Sequence, residues 1–413
     1  MWKIHGKIYD LSLFLDKHPG GKTILEVCKG DEDLTATFES YHAMSNMDKI
    51  KKIMTKYEIG ECEPSNFTFK EEDFYRTIQN RVRTLFENQS YKSNKWWLYK
   101  SLCQAFLFFT TFIIAFYYQS LGIYYRRIIA LISGHMIVQF GFGVMHDASH
   151  NAVSTNSNIN SLLCNIWNSL AFWDGQLWCK HHVFKHHTFT GDKDNDPDII
   201  HFKPFVRKSE EEDKTKYIEL SYKYPKLVAL FTYSFIPGMF IGQGYLYNCV
   251  WLKRGYLWKM KLSSLYQYSI LELVIKSFVL FSFLYGRNLG VFMCYAIGAN
   301  ISYFVCIIPD HDTYETHENR VDVKKTQDWG EMQVKHSGNF SNQNAWVCDM
   351  FGGINYQIEH HLFPTICHVH FNKIKPLVEQ TCLEFNVPYV HHNSIIDAVK
   401  STLKNYSKIN EKN

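Results

Sequence analysis

Histidines at short, recurring spacings are the residues of this chain best suited to chemistry. His146-Asp147-Ala148-Ser149-His150 sets two imidazoles four residues apart. His182-Val183-Phe184-Lys185-His186-His187 repeats that spacing and adds a neighbour, and Gln357-Ile358-Glu359-His360-His361 places Gln, His and His at i, i+3 and i+4. Residues three or four apart share one face of an α-helix, so the donors of each group lie on one face. A single such pair is common by chance, but three together read as a metal-binding set. His146, His150, His182, His186, His187, Gln357, His360 and His361 offer about twice the donors that one tetrahedral zinc takes, which implies two ions. Imidazole alone leaves iron, copper, nickel and zinc all open. A further pair, His18 in a Lys-His-Pro-Gly-Gly turn and His42 after Phe38-Glu39-Ser40-Tyr41, could ligate one flat six-coordinate iron group, which transfers electrons and leaves no position for oxygen.

The elements that must position these side chains are membrane helices. The run from Leu102 to Tyr118 carries no charge, and with Trp96, Trp97 and Tyr99 beside it reaches the roughly 20 residues needed to cross hydrocarbon. A second run, Ile128 to Met145, ends directly on His146. A third, Leu227 to Leu252, is broken by Pro237 and Gly238 and reads equally as a span or an interfacial helix pair. Leu262 to Tyr285 holds Glu272 and Lys276 at pairing distance on one face, and Leu289 to Ile308 follows after Gly286, Arg287 and Asn288 as a tight hairpin. Four spans, 102–118, 128–145, 262–285 and 289–308, put the N-terminal region, residues 146–261 and everything after 309 on one side. Ligands at the ends of such helices lie near the bilayer surface, within reach of an acyl chain. An unactivated methylene has no acidic proton for a base to take, so its chemistry calls for a redox cofactor.

W-x-I-x-G-K-I-Y-D-L-x-x-F-L-x-x-H-P-G-G, then G-D-x-D and F-x-x-x-H, over residues 2–60, resembles the cytochrome b5 domain. The resemblance implies haem b with His18 and His42 as axial ligands. That family usually has about a strand and a helix before the Trp at which this sequence begins, so a haem domain shortened at its N-terminus is expected. A haem donor nearby favours a metal that changes oxidation state; iron is the economical choice, and zinc hydrolysis needs no electrons.

The His groups, with W-x-x-x-H-H-V-F-K-H-H-T, D-N-D-P-D and Q-I-E-H-H-L-F-P, resemble the front-end fatty acid desaturases, in which a cytochrome b5 domain is fused ahead of the membrane domain. The resemblance implies two non-haem iron ions, molecular oxygen as co-substrate, and NADH-derived electrons through a cytochrome b5 reductase. It also implies a double bond placed between existing unsaturation and the carboxyl end of a CoA- or lipid-linked acyl chain. The eight donors carry over as ligands by position, and His311 stands where the family often has another His. Two departures are visible: the second group reads HxxxHH, with His181 blurring its register, and the last span ends P-D-H-D where many members have S-H-N.

The expected architecture is an α+β cytochrome b5-like haem domain (1–62), a linker with an amphipathic helix (63–95), an all-α membrane desaturase domain with about four transmembrane helices and a His-bearing cap (96–390), and a polar tail (391–413). The expected setting is the endoplasmic reticulum, with the haem domain and His groups cytosolic. A sphingolipid long-chain-base desaturase or a fatty-acyl hydroxylase would use the same residues; a membrane-anchored haem carrier is the rival from another class.

Composition narrows the alternatives. With 46% hydrophobic and 16% aromatic residues the chain suits a membrane core, and a net charge of +4 without a basic stripe makes nucleic acid a poor partner. Eleven Cys, none in a C-x-x-C pair, argue against a disulfide framework or a thiolate zinc site, and no cleaved signal peptide is visible at the N-terminus. Asp192, Asp194, Asp196 and Asp198 alternate like a calcium loop, but Pro197 and Lys203 occupy the positions that need Gly and Glu. His135, inside a span, is expected to be neutral and hydrogen-bonded within the bundle, and His391 and His392 carry no expected role.

Overall fold

Charge-free runs of this length can satisfy their backbone groups in lipid only by coiling, and they do so here. The computed structural model describes residues 1–30, 32–173, 175–200, 203–235, 256–257, 260–261, 270–323 and 327–411. Among these, three helices are long and apolar enough to cross a membrane: Lys95–Tyr117, Ile123–Ser149 and Leu289–Asn319. Of the expected span 262–285, the described part is a 16-residue helix, Ile270–Tyr285. Of the 227–252 run, Pro225–Phe235 is helical and the rest lies outside the described residues.

At the N-terminus, β1 (Trp2–Ile4) and β2 (Lys7–Tyr9) form an antiparallel pair that β3 (Glu58–Glu61) extends. Between β2 and β3 lie α1 (Lys22–Val27), α2 (Thr35–Tyr41) and α3 (Met47–Met54). Trp2, Ile4, Tyr9, Leu11, Leu34 and Phe38 fill the core of this unit, and Phe184, distant in sequence, completes it. Residues 63–95 contain the expected amphipathic helix, α4 (Phe74–Leu85). Its apolar face, Phe74, Tyr75, Ile78 and Val82, packs on Trp329, Met332, Ile358, Leu362 and Ile374, so this segment belongs to the core beneath the third His group.

The first span, α5 (Lys95–Tyr117), begins on an Asn94 cap whose side chain accepts from the Trp97 amide, and its 23 residues run about 35 Å. Exposed Leu102, Phe106 and Ile113 give it a lipid-facing side, with Trp96 and Tyr99 exposed at one end and Tyr118 just past the other. The second span, α6 (Ile123–Phe140), continues through a π-helical stretch, Gly141–His146, into Asp147–Ser149. Then come α7 (Ser157–Leu170), a second π-helical stretch at Cys179–His186, α8 (Pro225–Phe235), α9 (Ile270–Tyr285) and α10 (Leu289–His311). Helices α6 and α10 cross at two glycines. A Cβ on Gly134 would lie 1.9 Å from the Tyr295 carbonyl oxygen, and one on Gly298 2.0 Å from that of Leu131. Small residues here let two membrane helices touch backbone to backbone. That contact brings His146 and His311, at the same end of the pair, into one site.

Helix α11 (Trp329–Lys335), β4 (Gly338–Phe340), α12 (Gln357–Leu362) and α13 (Phe371–Glu384) cap that end. The last segment, expected as a polar tail, pairs β5 (Val390–His392) in parallel with β4 and ends in α14 (Ile395–Glu411). Ala398, Thr402, Asn405, Tyr406 and Ile409 recur at helical spacing and bury one face, which the polar residues between them concealed. His135, as expected, has a partner inside the bundle: its Nδ1 is 3.0 Å from Ser302 Oγ.

Candidate metal centre and haem site

All nine histidine and glutamine side chains singled out in the membrane part converge in one buried site. They divide into two groups. His146, His150, His182 and His360 bring their ring nitrogens within 4.8 Å of one another, and His186, His311 and His361 do the same. His187 stands between: its Nε2 is 3.0 Å from His360 Nε2, and its ring stacks on His361 with centroids 4.2 Å apart. Gln357 reaches the second group, its amide nitrogen 2.8 Å from His311 Nε2 and 3.0 Å from His361 Nε2. The two groups do not follow the three sequence motifs. His182 and His186 face different groups, as do the adjacent His360 and His361.

Four ligand candidates are fixed through their other nitrogen. His186 Nδ1 is 3.1 Å from Asp196 Oδ1 and 3.3 Å from Asp198 Oδ2. His311 Nδ1 donates to the His336 carbonyl at 2.9 Å, and His361 Nδ1 to Gln333 Oε1 at 2.7 Å. His150 Nδ1 lies 2.5 Å from the Tyr41 hydroxyl. With Nδ1 so engaged, each Nε2 carries a lone pair pointing inward, the arrangement found around metal-bound imidazoles. Yet Nε2 meets Nε2 at 3.2 Å between His186 and His311, and facing lone pairs repel, so this contact calls for a cation. In the other group His146 Nε2 and His182 Nε2 are 2.9 Å apart. His150 Nε2 and Gln357 Oε1 are buried without a hydrogen-bond partner, and turning the Gln357 amide over would present that oxygen to the second group. The donor set therefore fits two metal ions.

Electrostatics agree with this fit. Burial holds His150, His182, His187, His360 and His361 well below the usual imidazole range, so they are neutral, the form that binds metal. Burial pushes His186 the same way, but the Asp196 and Asp198 charges outweigh it and raise its pKa. Glu359, between Ile358 and His360, is pushed up to about 7 by burial, while Asn339 Nδ2 at 2.7 Å and the Tyr389 hydroxyl at 2.8 Å donate to its carboxyl. Asn339 also accepts from the Ile358 amide, so β4 holds α12 and its ligands in place. His181, which blurred the register of the second group, points away to Asp198 at 2.6 Å.

The haem reading meets its own test. His18 and His42 have ring centroids 6.2 Å apart. An ion bonded to one nitrogen of each ring at about 2 Å, with each ring centre about 1 Å behind its nitrogen, needs about 6 Å. His18 Nδ1 donates to the Gly21 carbonyl at 3.1 Å and His42 Nδ1 to that of Phe38 at 2.8 Å, leaving both Nε2 atoms as acceptors. The pair lines a mostly apolar cavity of about 560 Å³ with Leu11, Phe14, Leu34, Ile50 and Met54. Burial lowers the His42 pKa to about 4. These residues fit a bis-histidine haem.

Sequence reasoning overlooked Tyr41 and Gln333 altogether. It noticed Asp196 and Asp198 without assigning them a role, because a partner ten residues on, past a turn, has no fixed spacing to reveal it.

Comparison with known proteins agrees with the site. Residues 1–63 match the cytochrome b5-like haem/steroid binding domain, and residues 123–393 match the fatty acid desaturase family. The chain is 28% identical to an acyl-lipid (8-3)-desaturase of Physcomitrium patens, over 98% of this chain and 87% of that protein. It is 27% identical to a probable Delta(5) fatty acid desaturase of Dictyostelium discoideum (96% and 89% covered) and 26% identical to an acyl-lipid (8-3)-desaturase of Mortierella alpina (97% and 92%). Two buried clusters of imidazoles, joined at the ends of two membrane helices through His146 and His311, an adjoining bis-histidine cavity and these matches lead to one assignment: the chain belongs to the fatty acid desaturase family and carries a cytochrome b5-like domain at its N-terminus.

Proposed function

We propose that this protein is a front-end acyl desaturase, inserting a double bond between an existing unsaturation and the carboxyl end of a fatty-acyl chain at the expense of molecular oxygen. The observation that carries the reading is the convergence of two sets of imidazole nitrogens beside a bis-histidine haem cavity. His146, His150, His182 and His360 hold one iron; His186, His311, His361 and Gln357 hold the other, with His187 shared between them. When bound, the two ions supply the oxidising power to remove hydrogen from an unactivated methylene. Asp196, Gln333 and the His336 carbonyl hold Nδ1 of three of the imidazoles and keep their Nε2 atoms aimed at the site. His18 and His42 hold haem b, which receives NADH-derived electrons from a cytochrome b5 reductase. The matched (8-3) and Delta(5) desaturases support the front-end regiochemistry, and we assign the His site and haem domain to the cytosolic face of the endoplasmic reticulum.

The test is expression in a host supplied with defined polyunsaturated fatty acids, followed by mass spectrometry of the lipids. A new double bond on the carboxyl side of existing ones is expected. A protein replete in haem and iron that forms no new double bond from any substrate refutes the reading, and a hydroxylated product would replace it with a hydroxylase.

A further inference from the structure

We propose that Tyr41, a side chain of the haem domain, is a positioning residue for the metal centre: it fixes the ring of His150, so the centre is complete only while the haem domain is docked. This rests on the reading of His150 as a metal ligand. Tyr41 closes α2, one residue before the haem-ligand candidate His42, and its hydroxyl lies 2.5 Å from His150 Nδ1 and 3.3 Å from the Val183 carbonyl. A carbonyl only accepts, so the hydroxyl proton goes to Val183 and the phenol oxygen is left to accept from His150 Nδ1–H. That fixes the tautomer and leaves His150 Nε2 as the lone pair, buried without a hydrogen-bond partner beside His146, His182 and His360. The two rings also stack, 5.9 Å between centroids and 23° between planes, which opposes rotation of the imidazole.

Other contacts seat the same domain on the same face. Thr37 and Thr188 share a hydrogen bond of 2.6 Å, Lys180 donates to the Val27 carbonyl at 2.9 Å, and Lys185 pairs with Glu32. The comparable outer partners of His186, His311 and His361 all come from the desaturase domain itself. His150 thus takes from the electron donor what its fellow ligands take from their own domain. When the haem domain lifts away, His150 loses both its acceptor and its stacking ring, so ligand geometry and donor docking rise and fall together.

The test uses the full chain in detergent or nanodiscs, reading non-haem iron against a competing chelator and haem by its Soret band. Removing an outer partner weakens metal binding about 10–100-fold. Tyr41→Phe and Tyr41→Ala are each expected to release one of two irons at about 10–100-fold lower chelator than the unsubstituted protein, while the second iron and the haem stay. If Tyr41→Phe holds both irons at unaltered affinity, the hydroxyl has no such role, whatever Tyr41→Ala does. Loss of both irons and haem together in Tyr41→Phe would mean a general structural role and would overturn the proposal as well. His150→Ala separates the two levels: if it releases no iron, the ligand assignment fails rather than the role of Tyr41.

Discussion

Phe184 is an apolar anchor between the two halves of this protein, and its truncation tests how they work together. It lies on the π-helical stretch between His182 and His186, is 0% exposed, and completes the core formed by Trp2, Ile4, Tyr9, Leu11, Leu34 and Phe38 of the haem domain. Cutting a buried Phe to Ala costs about 3–5 kcal/mol, transfer and cavity terms together. At about 1.4 kcal/mol per factor of ten, the ratio of docked to undocked haem domain should fall between about a hundred- and several-thousand-fold. What remains includes the hydrogen bonds of Thr37 to Thr188 and Lys180 to Val27, each worth about 1 kcal/mol, and the seat on α4, where Ala36 and Ala43 are buried and Arg76 pairs with Glu39. Phe184→Ala should keep its haem but be cut faster by protease at the exposed stretch around Glu63 and Pro64. Its reduced haem should also be reoxidised more slowly in the presence of substrate and oxygen. Phe184→Leu should fall between the two. Unaltered protease resistance and reoxidation in Phe184→Ala would refute the docked arrangement.

Three further outcomes are expected. His146→Ala and His186→Ala should each lose one of two irons and all desaturation, because the two rings face different groups; elemental analysis showing both irons lost in both variants, or neither, would contradict the division. Haem uptake by the haem-free protein should follow His42, whose folded-state pKa burial lowers from 6.5 to about 4. The neutral ring is both the folded form and the one that binds haem, so its contribution is complete above pH 6.5 and lost as pH falls through about 4; haem uptake, read by the Soret band, that fails with a midpoint near 6.5 would show His42 outside the cavity. Gly298→Val should force α6 and α10 apart and cost both metals as well as thermal stability, since the new Cβ meets the Leu131 carbonyl, whereas Ile301→Val on the exposed side of α10 should change neither.

Much of the site was legible because ligation constrains sequence locally. Two imidazoles on one turn must be three to five residues apart, and three such groups beside membrane-length runs leave few alternatives. The haem pair was legible for the same reason, through the turn that carries His18. Contacts that join distant segments leave no such trace. Tyr41 and His150 are 109 residues apart, and Gln333 approaches His361 from another helix. Helix α14 was missed because Asn405 and Thr402 occupy its buried face, so its amphipathic spacing does not read as apolar. The expectation for α4 found the helix but not its place, since an amphipathic face says that something covers it and not what.

The i, i+4 spacing picks out the ligand candidates without saying how they divide between the two groups, and for His182, His186 and His187 the local backbone decides it. The Cys179–His186 stretch is π-helical, with hydrogen bonds closing at i+5 instead of i+4, and such wide turns are frequent at functional sites. In that register His182 and His187, five apart, lie close together with ring centroids at 4.8 Å, while His186 turns its Nε2 to His311. The same wide turn sends Lys180, Phe184 and Lys185 outward, where they meet the haem domain. One short segment is thus both the rack that spaces the ligands and the seat of the electron donor. Weakening the docking by mutation therefore has to begin on the haem-domain side, at Thr37 or Leu34, where the segment that carries His182, His186 and His187 keeps its own sequence.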